Sequence, residues 1–171
     1  MKALSMTQPW ATLVAIGAKC IETRSWSTSY RGPIAIHAAK SMPRYALAAF
    51  LSEPFYNETL VPAGIYSSSM LPRGAVIATA RLVEVCSTTG LADEILRRGY
   101  ERAFGDYAAG RFAWFIADVE PLDEPIPAKG ALGLWEWHEG VLSRAGGRPQ
   151  ERDSLASTTD LSNRRDDDAR D

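Results

Sequence analysis

The run Gly74-Ala75-Val76-Ile77-Ala78-Thr79-Ala80-Arg81-Leu82-Val83-Glu84-Val85 constrains the fold of this chain more than any other stretch. Its first half is apolar on both faces, as in a strand covered from both sides. The run therefore predicts a central strand with the other elements layered around it. Arg111-Phe112-Ala113-Trp114-Phe115-Ile116-Ala117-Asp118-Val119 is a second strong strand that ends at Glu120-Pro121, and Trp114 within it reads as core. Residues 2–6 and 34–38 give two more strands, and residues 132–137 a last strand or short turn. Pro125 and Pro127 imply an extended edge segment.

Short helices are interleaved with these strands. Thr7 can cap a helix whose first turn holds Pro9, and Trp10, Leu13, Val14 and Gly17 fall on one face of it. Gly17 reads as its stop signal. The stretch Gly17-Ala18-Lys19-Cys20-Ile21-Glu22-Thr23-Arg24-Ser25-Trp26 follows, and Cys20, Ile21 and Thr23 favour extended structure there. Strand alternation would put Cys20, Glu22 and Arg24 on one side and Lys19, Ile21, Thr23 and Ser25 on the other. Residues 41–57 read as helix, and 53–72, with Pro54, Pro62, Gly64 and three serines, mostly as loop. Leu91, Ile95, Leu96 and Tyr100 are spaced for a helix that ends near Gly105. Five to six strands with short flanking helices predict an α+β chain built on a small barrel.

The 171 residues and 46% hydrophobic content suffice for one domain with a real core. After about residue 140 the sequence loses its aromatic residues and gains charge runs. The expected organisation is thus a domain over 1–139 and a disordered tail over 140–171. A net charge of −2 and a pI near 5.7 argue against a broad basic nucleic-acid face, while leaving room for a local cationic groove. Two cysteines and two histidines are too few for a disulfide framework or a zinc cluster, so neither metal nor cofactor is expected. The sequence has no secretory h-region and no run of apolar residues approaching a membrane span, which predicts a reduced, cytoplasmic setting.

Candidate chemistry gathers at element ends. Lys19 follows a helix C-terminus, where a cation serves as a cap or, in a partly dry cleft, as a general base. Glu22 beside Arg24 is either a surface ion pair or a carboxylate and cation facing a substrate. His37, at a strand end, reads as structural ahead of catalytic. Trp10, Trp26, Trp135 and Trp137 lie near element ends, where an aromatic ring can stack on a base, although each alone reads as core.

Leu4-Ser5-Met6-Thr7-Gln8-Pro9-Trp10-Ala11, followed by Gly17-x-Lys19-x-x-Glu22-x-Arg24-x-Trp26, resembles the ASCH family. Trp114-Phe115-Ile116 and Pro127-x-Lys129-Gly130-x-x-Gly133-Leu134-Trp135 extend the resemblance to roughly residues 1–137. It implies a PUA-like β-barrel whose cleft is overlaid by residues 19–24, and a role in binding RNA or nucleotides. One branch of the family hydrolyses the acetyl amide of N4-acetylcytidine with a lysine, a threonine three residues later and a glutamate on a distant strand. Other members are described as ribonucleases. Lys19 matches that lysine, but Glu22 stands in place of the threonine, and Thr23 is one residue out of register. Glu84 is the candidate for the distant glutamate.

Three functions follow as expectations. The first is a module that binds RNA or a modified nucleoside through Gln8, Trp10, Lys19, Glu22, Arg24, Trp26, His37 and Lys129. The second is an amidohydrolase for an acylated nucleoside, with Lys19 as base, Glu22 activating water, and Glu84 in support. The third is a protein-interaction module that uses the tail.

Overall fold

The computed structural model describes residues 1–91, 93 and 97–138. The expected tail over 140–171 lies outside the described residues, as do Ile95 and Leu96 of the expected helix. Among the described residues six strands form one sheet: β1 (Lys2–Met6), β2 (Ile21–Arg24), β3 (Gly32–Ala38), β4 (Ala75–Ser87), β5 (Phe112–Pro127) and β6 (Leu134–Glu136). Their spatial order is β2-β5-β4-β3-β1-β6. β1 runs parallel to β3, and the other neighbouring pairs are antiparallel. As its composition predicts, β4 is central, with β3 and β5 on its two sides.

The register of β4 against β5 shifts at Val76/Ala78, Thr79/Arg81 and Leu82/Glu84, and such bulges increase local twist and bend the strand. The sheet curls into a half-barrel. β2, at one end of the sheet, meets β1, the strand next to the other end, where the Arg24 guanidinium donates to the Ser5 carbonyl at 2.7 Å. That carbonyl is accessible because β6 stops pairing opposite Leu4. β5 also absorbs the proline segment predicted as an edge, with Ile126 and Pro127 paired to Val76 and Ala75.

Helix α1 (Trp10–Ala15) packs against β1, β3, β4 and β5. Ala11, Val14 and Ala15 join Leu4, Ile34, Ile36, Leu82 and Trp114 in the main core. Leu13 belongs to a second cluster with Phe50, Phe55, Leu60, Leu71 and Phe104. Residues 11–15 are therefore buried all round, in place of the one-sided helix expected from spacing. The expected loop over 53–72 supplies the cover: it holds a π-helical turn, Tyr56–Leu60, and a 3-10 turn, Ser68–Met70. Helix α2 (Arg44–Phe50) is shorter than predicted, and α3 (Glu101–Phe104) closes the second cluster. No helix among the described residues is long and apolar enough to cross a membrane.

Candidate functional site

The turn after α1 sets up the site. Gly17 takes φ +76°, its N–H donates to Val14 O, and the Lys19 N–H donates to Leu13 O at 3.0 Å, which ends the helix as the glycine predicts. Lys19 therefore belongs to this turn, and strand alternation begins only at Ile21. This corrects the expected facing: the Lys19 side chain turns to the same side as Glu22. Its ammonium is fully buried, donates to Ile21 O and to Phe104 O at 2.9 Å, and lies 3.7 Å from Glu22 Oε2. Two of its three protons thus meet carbonyls, and the carboxylate is an ion-pair partner beyond hydrogen-bond distance.

On the other side of Glu22, Arg24 Nε lies 3.2 Å from Oε1 without the alignment of a hydrogen bond. Glu22 is thus held between two cations, with 13% of its side chain exposed. Next to them, Arg111 donates from Nε to Asp106 O at 3.0 Å and from a terminal nitrogen to Thr23 O at 3.3 Å, while Thr23 Oγ1 accepts from the Asp106 N–H. These groups floor a cleft of about 310 Å³ whose walls include Trp10, Tyr45, Phe104 and Ser5. Trp10 and Tyr45 are 6.2 Å apart, their planes tilted by 39°.

Behind the floor lies a buried carboxylate that the sequence does not single out. Glu101 is 2% exposed, accepts from the Cys20 N–H, and accepts from the Tyr107 hydroxyl at 3.3 Å. Burial and then this carboxylate push the Tyr107 phenol far above its ordinary range, so it stays a neutral donor. Burial, followed by the Glu101 hydrogen bond and charge, pushes the Cys20 thiol up to about 11, which removes it as a thiolate nucleophile at neutral pH.

The other expected site residues divide. Gln8 is fully buried: its amide nitrogen donates to Pro72 O at 2.7 Å and its oxygen accepts the Thr12 N–H at 3.1 Å. It caps α1 in the role assigned to Thr7. Trp26 packs edge-on against Trp114 at 4.6 Å and lines neither cleft. Glu84 is exposed on β4, in register with Phe115 and Ile21 and hence on the sheet face opposite Glu22. His37 and Lys129 line a second, larger cleft of about 740 Å³.

His37 is 2% exposed. Its Nε2 lies 3.1 Å from Ala128 O, which can only accept, so that nitrogen carries a proton. Its Nδ1 lies 3.1 Å from Ser5 Oγ, which accepts from Trp135 Nε1 and whose single proton is shared between Nδ1 and the Ala131 carbonyl, also 3.1 Å away. Burial lowers the pKa of His37, and the Ala128 bond offsets part of that. Among the described residues, no three His, Cys, Asp or Glu side chains gather as a metal site would require.

The ASCH domain family profile matches residues 4–126. The chain belongs to the ASCH family. Among related proteins, activating signal cointegrator 1 from Mus musculus is 24% identical over 136 residues, which cover 78% of this chain and 22% of that protein. The match thus spans about a fifth of that relative's length. Among solved structures, ASCH from Zymomonas mobilis matches at 16% identity and a TM-score of 0.49, covering 81% of this chain and 87% of that one. A serine-to-alanine mutant of the same protein matches at 16% identity and 0.48, covering 81% and 88%. In this ASCH domain, the motif residues Gly17, Lys19, Glu22 and Arg24 form one unit: the glycine ends α1, the lysine and arginine flank the carboxylate, and the arginine also joins β2 to β1.

Proposed function

We propose that the cleft over Glu22 and Arg24 binds RNA or a modified nucleoside. The observation that carries this reading is the pairing of an aromatic wall, Trp10 and Tyr45, with a floor of guanidinium and carboxylate groups. A base would lie against the rings, Arg24 would meet a phosphate or carbonyl oxygen, and Glu22 would accept from the base or ribose. Lys19 is a positioning residue here, since its charge already pairs with Glu22 and its donors hold the turn. The cleft lies near the small end of ligand pockets, about 300–1,000 Å³, which suits one nucleoside unit. A cytoplasmic setting belongs to the same reading, and the two free cysteines agree with it.

Calorimetric titration with a nucleoside panel that includes N4-acetylcytidine, and with short RNA oligomers, tests this proposal. Trp10→Ala should weaken binding by about 5- to 150-fold, the range of one lost base–aromatic stack. Unchanged affinities in both Trp10→Ala and Arg24→Gln would refute the reading. The placement of Glu22 on the cleft floor also favours a second reading, in which its carboxylate activates water against an acylated base without a covalent intermediate. Product formation in the same samples, abolished by Glu22→Gln, would support hydrolysis. Full turnover in that variant would exclude it.

A further inference from the structure

The larger cleft is a separate place with its own chemistry. Lys40 follows β3, Arg73 precedes β4 and Lys129 follows β5, so three different strand ends bring cations to one groove. All three residues are exposed, no Asp or Glu lines the groove, and none of the three has a carboxylate within 4 Å among the described residues. On a chain of net charge −2, this local excess of positive charge runs against the overall balance. The floor is also shaped closely. A Cβ on Gly130 would come within 3.0 Å of the His37 ring and Ser5 Oγ, so bare backbone lies directly on those groups. Ser5 lines both clefts. Its carbonyl holds Arg24 at the first, and its hydroxyl contacts His37 at the second.

We infer that this groove binds the phosphodiester backbone of a single-stranded RNA whose adjoining nucleoside occupies the first cleft. The inference rests on the reading above and sharpens it: the ligand is an oligonucleotide that crosses Ser5, with Lys40, Arg73 and Lys129 on its phosphates. Groups of this kind neutralise phosphates and release counterions, so they supply a salt-dependent share of affinity that a free nucleoside lacks.

The test compares a nucleoside, its mononucleotide and a labelled tetranucleotide on the intact chain, over a range of salt, in wild type and in the double variant Lys40→Gln/Arg73→Gln. The tetranucleotide should bind wild type more tightly than the mononucleotide does. The double variant should lose roughly 10-fold of tetranucleotide affinity and ~0.7 of the log–log salt slope per phosphate contact removed. Nucleoside affinity should stay within about twofold, because neither substituted side chain lines the first cleft. Unchanged tetranucleotide affinity and salt slope in the double variant would overturn the inference and leave the nucleoside reading intact. Tetranucleotide binding that needs Lys40 and Arg73 while nucleosides fail to bind would overturn the nucleoside reading and leave the groove. No binding of any length to wild type overturns both.

Discussion

The two clefts share Ser5 and differ in their treatment of charge. In the smaller one every ionic side chain has a partner: Glu22 lies between Lys19 and Arg24, and Arg111 is fastened to Asp106 and the Thr23 carbonyl. In the larger one the cations stand on the surface with no carboxylate beside them among the described residues. Paired and partly buried groups are fixed before a ligand arrives, and fixed donors and acceptors select by geometry. Exposed cations select little, but they attract any phosphate and respond to salt.

The contrast breaks most visibly in stability. Lys19→Met would leave the Ile21 and Phe104 carbonyls without their buried donor and Glu22 with Arg24 as its remaining cation, and should cost about 2–5 kcal/mol of unfolding free energy. Lys40→Gln, an exposed change, should stay within about 0.5 kcal/mol. Urea denaturation of the two variants side by side measures the difference, and equal midpoints would show that the lysines are not in different environments. A smaller effect is expected at the floor of the larger cleft. Gly130→Ala forces a methyl group against His37 and Ser5, and should cost about 1–3 kcal/mol through overpacking. An unshifted denaturation midpoint would mean that the turn lifts off at no cost.

The smallest expected effect is a pH slope. The folded-state pKa of His37 lies below its ordinary 6.5, so between the two values the unfolded chain holds a proton that the folded chain does not. Stability is therefore full above about 6.5 and declines as pH falls toward the folded value. Thermal melts from pH 7.5 to 5 should show this decline in wild type and a flatter profile in His37→Gln. Parallel profiles would assign the slope to other groups.

These contrasts also mark what the residues reveal before the fold is known. The run over 74–85 is central, and Lys2–Met6 is a strand as its alternation predicts, because burial on one or both faces leaves a local pattern. The motif cluster is legible for the same reason: Glu22 and Arg24 are two apart on a short strand. Lys19 is misplaced by extending that alternation one turn too far into the helix cap. His37 and Lys129 are chemically suited to a nucleotide, but spacing does not reveal that β1 separates them from Glu22. Glu101 and Arg111 are invisible because they meet the motif only through the sheet and the 105–106 bend, across 81 residues from Cys20 and 88 from Thr23.

The hydrogen bond from Arg24 to Ser5 has a mechanical consequence. Strand ladders are held in parallel by many hydrogen bonds, so no single rupture opens them. Among the described residues, the seam between the β2 end of the sheet and β1 carries one hydrogen bond, from the Arg24 guanidinium to the Ser5 carbonyl. Opening this seam would break that bond and no strand ladder, although the core packing of Leu4 and Met6 with Trp114 and Trp26 also spans it. Both clefts border the seam, so a ligand that bridges them would act as a clasp across the joint, and one that draws Arg24 away would act as a wedge.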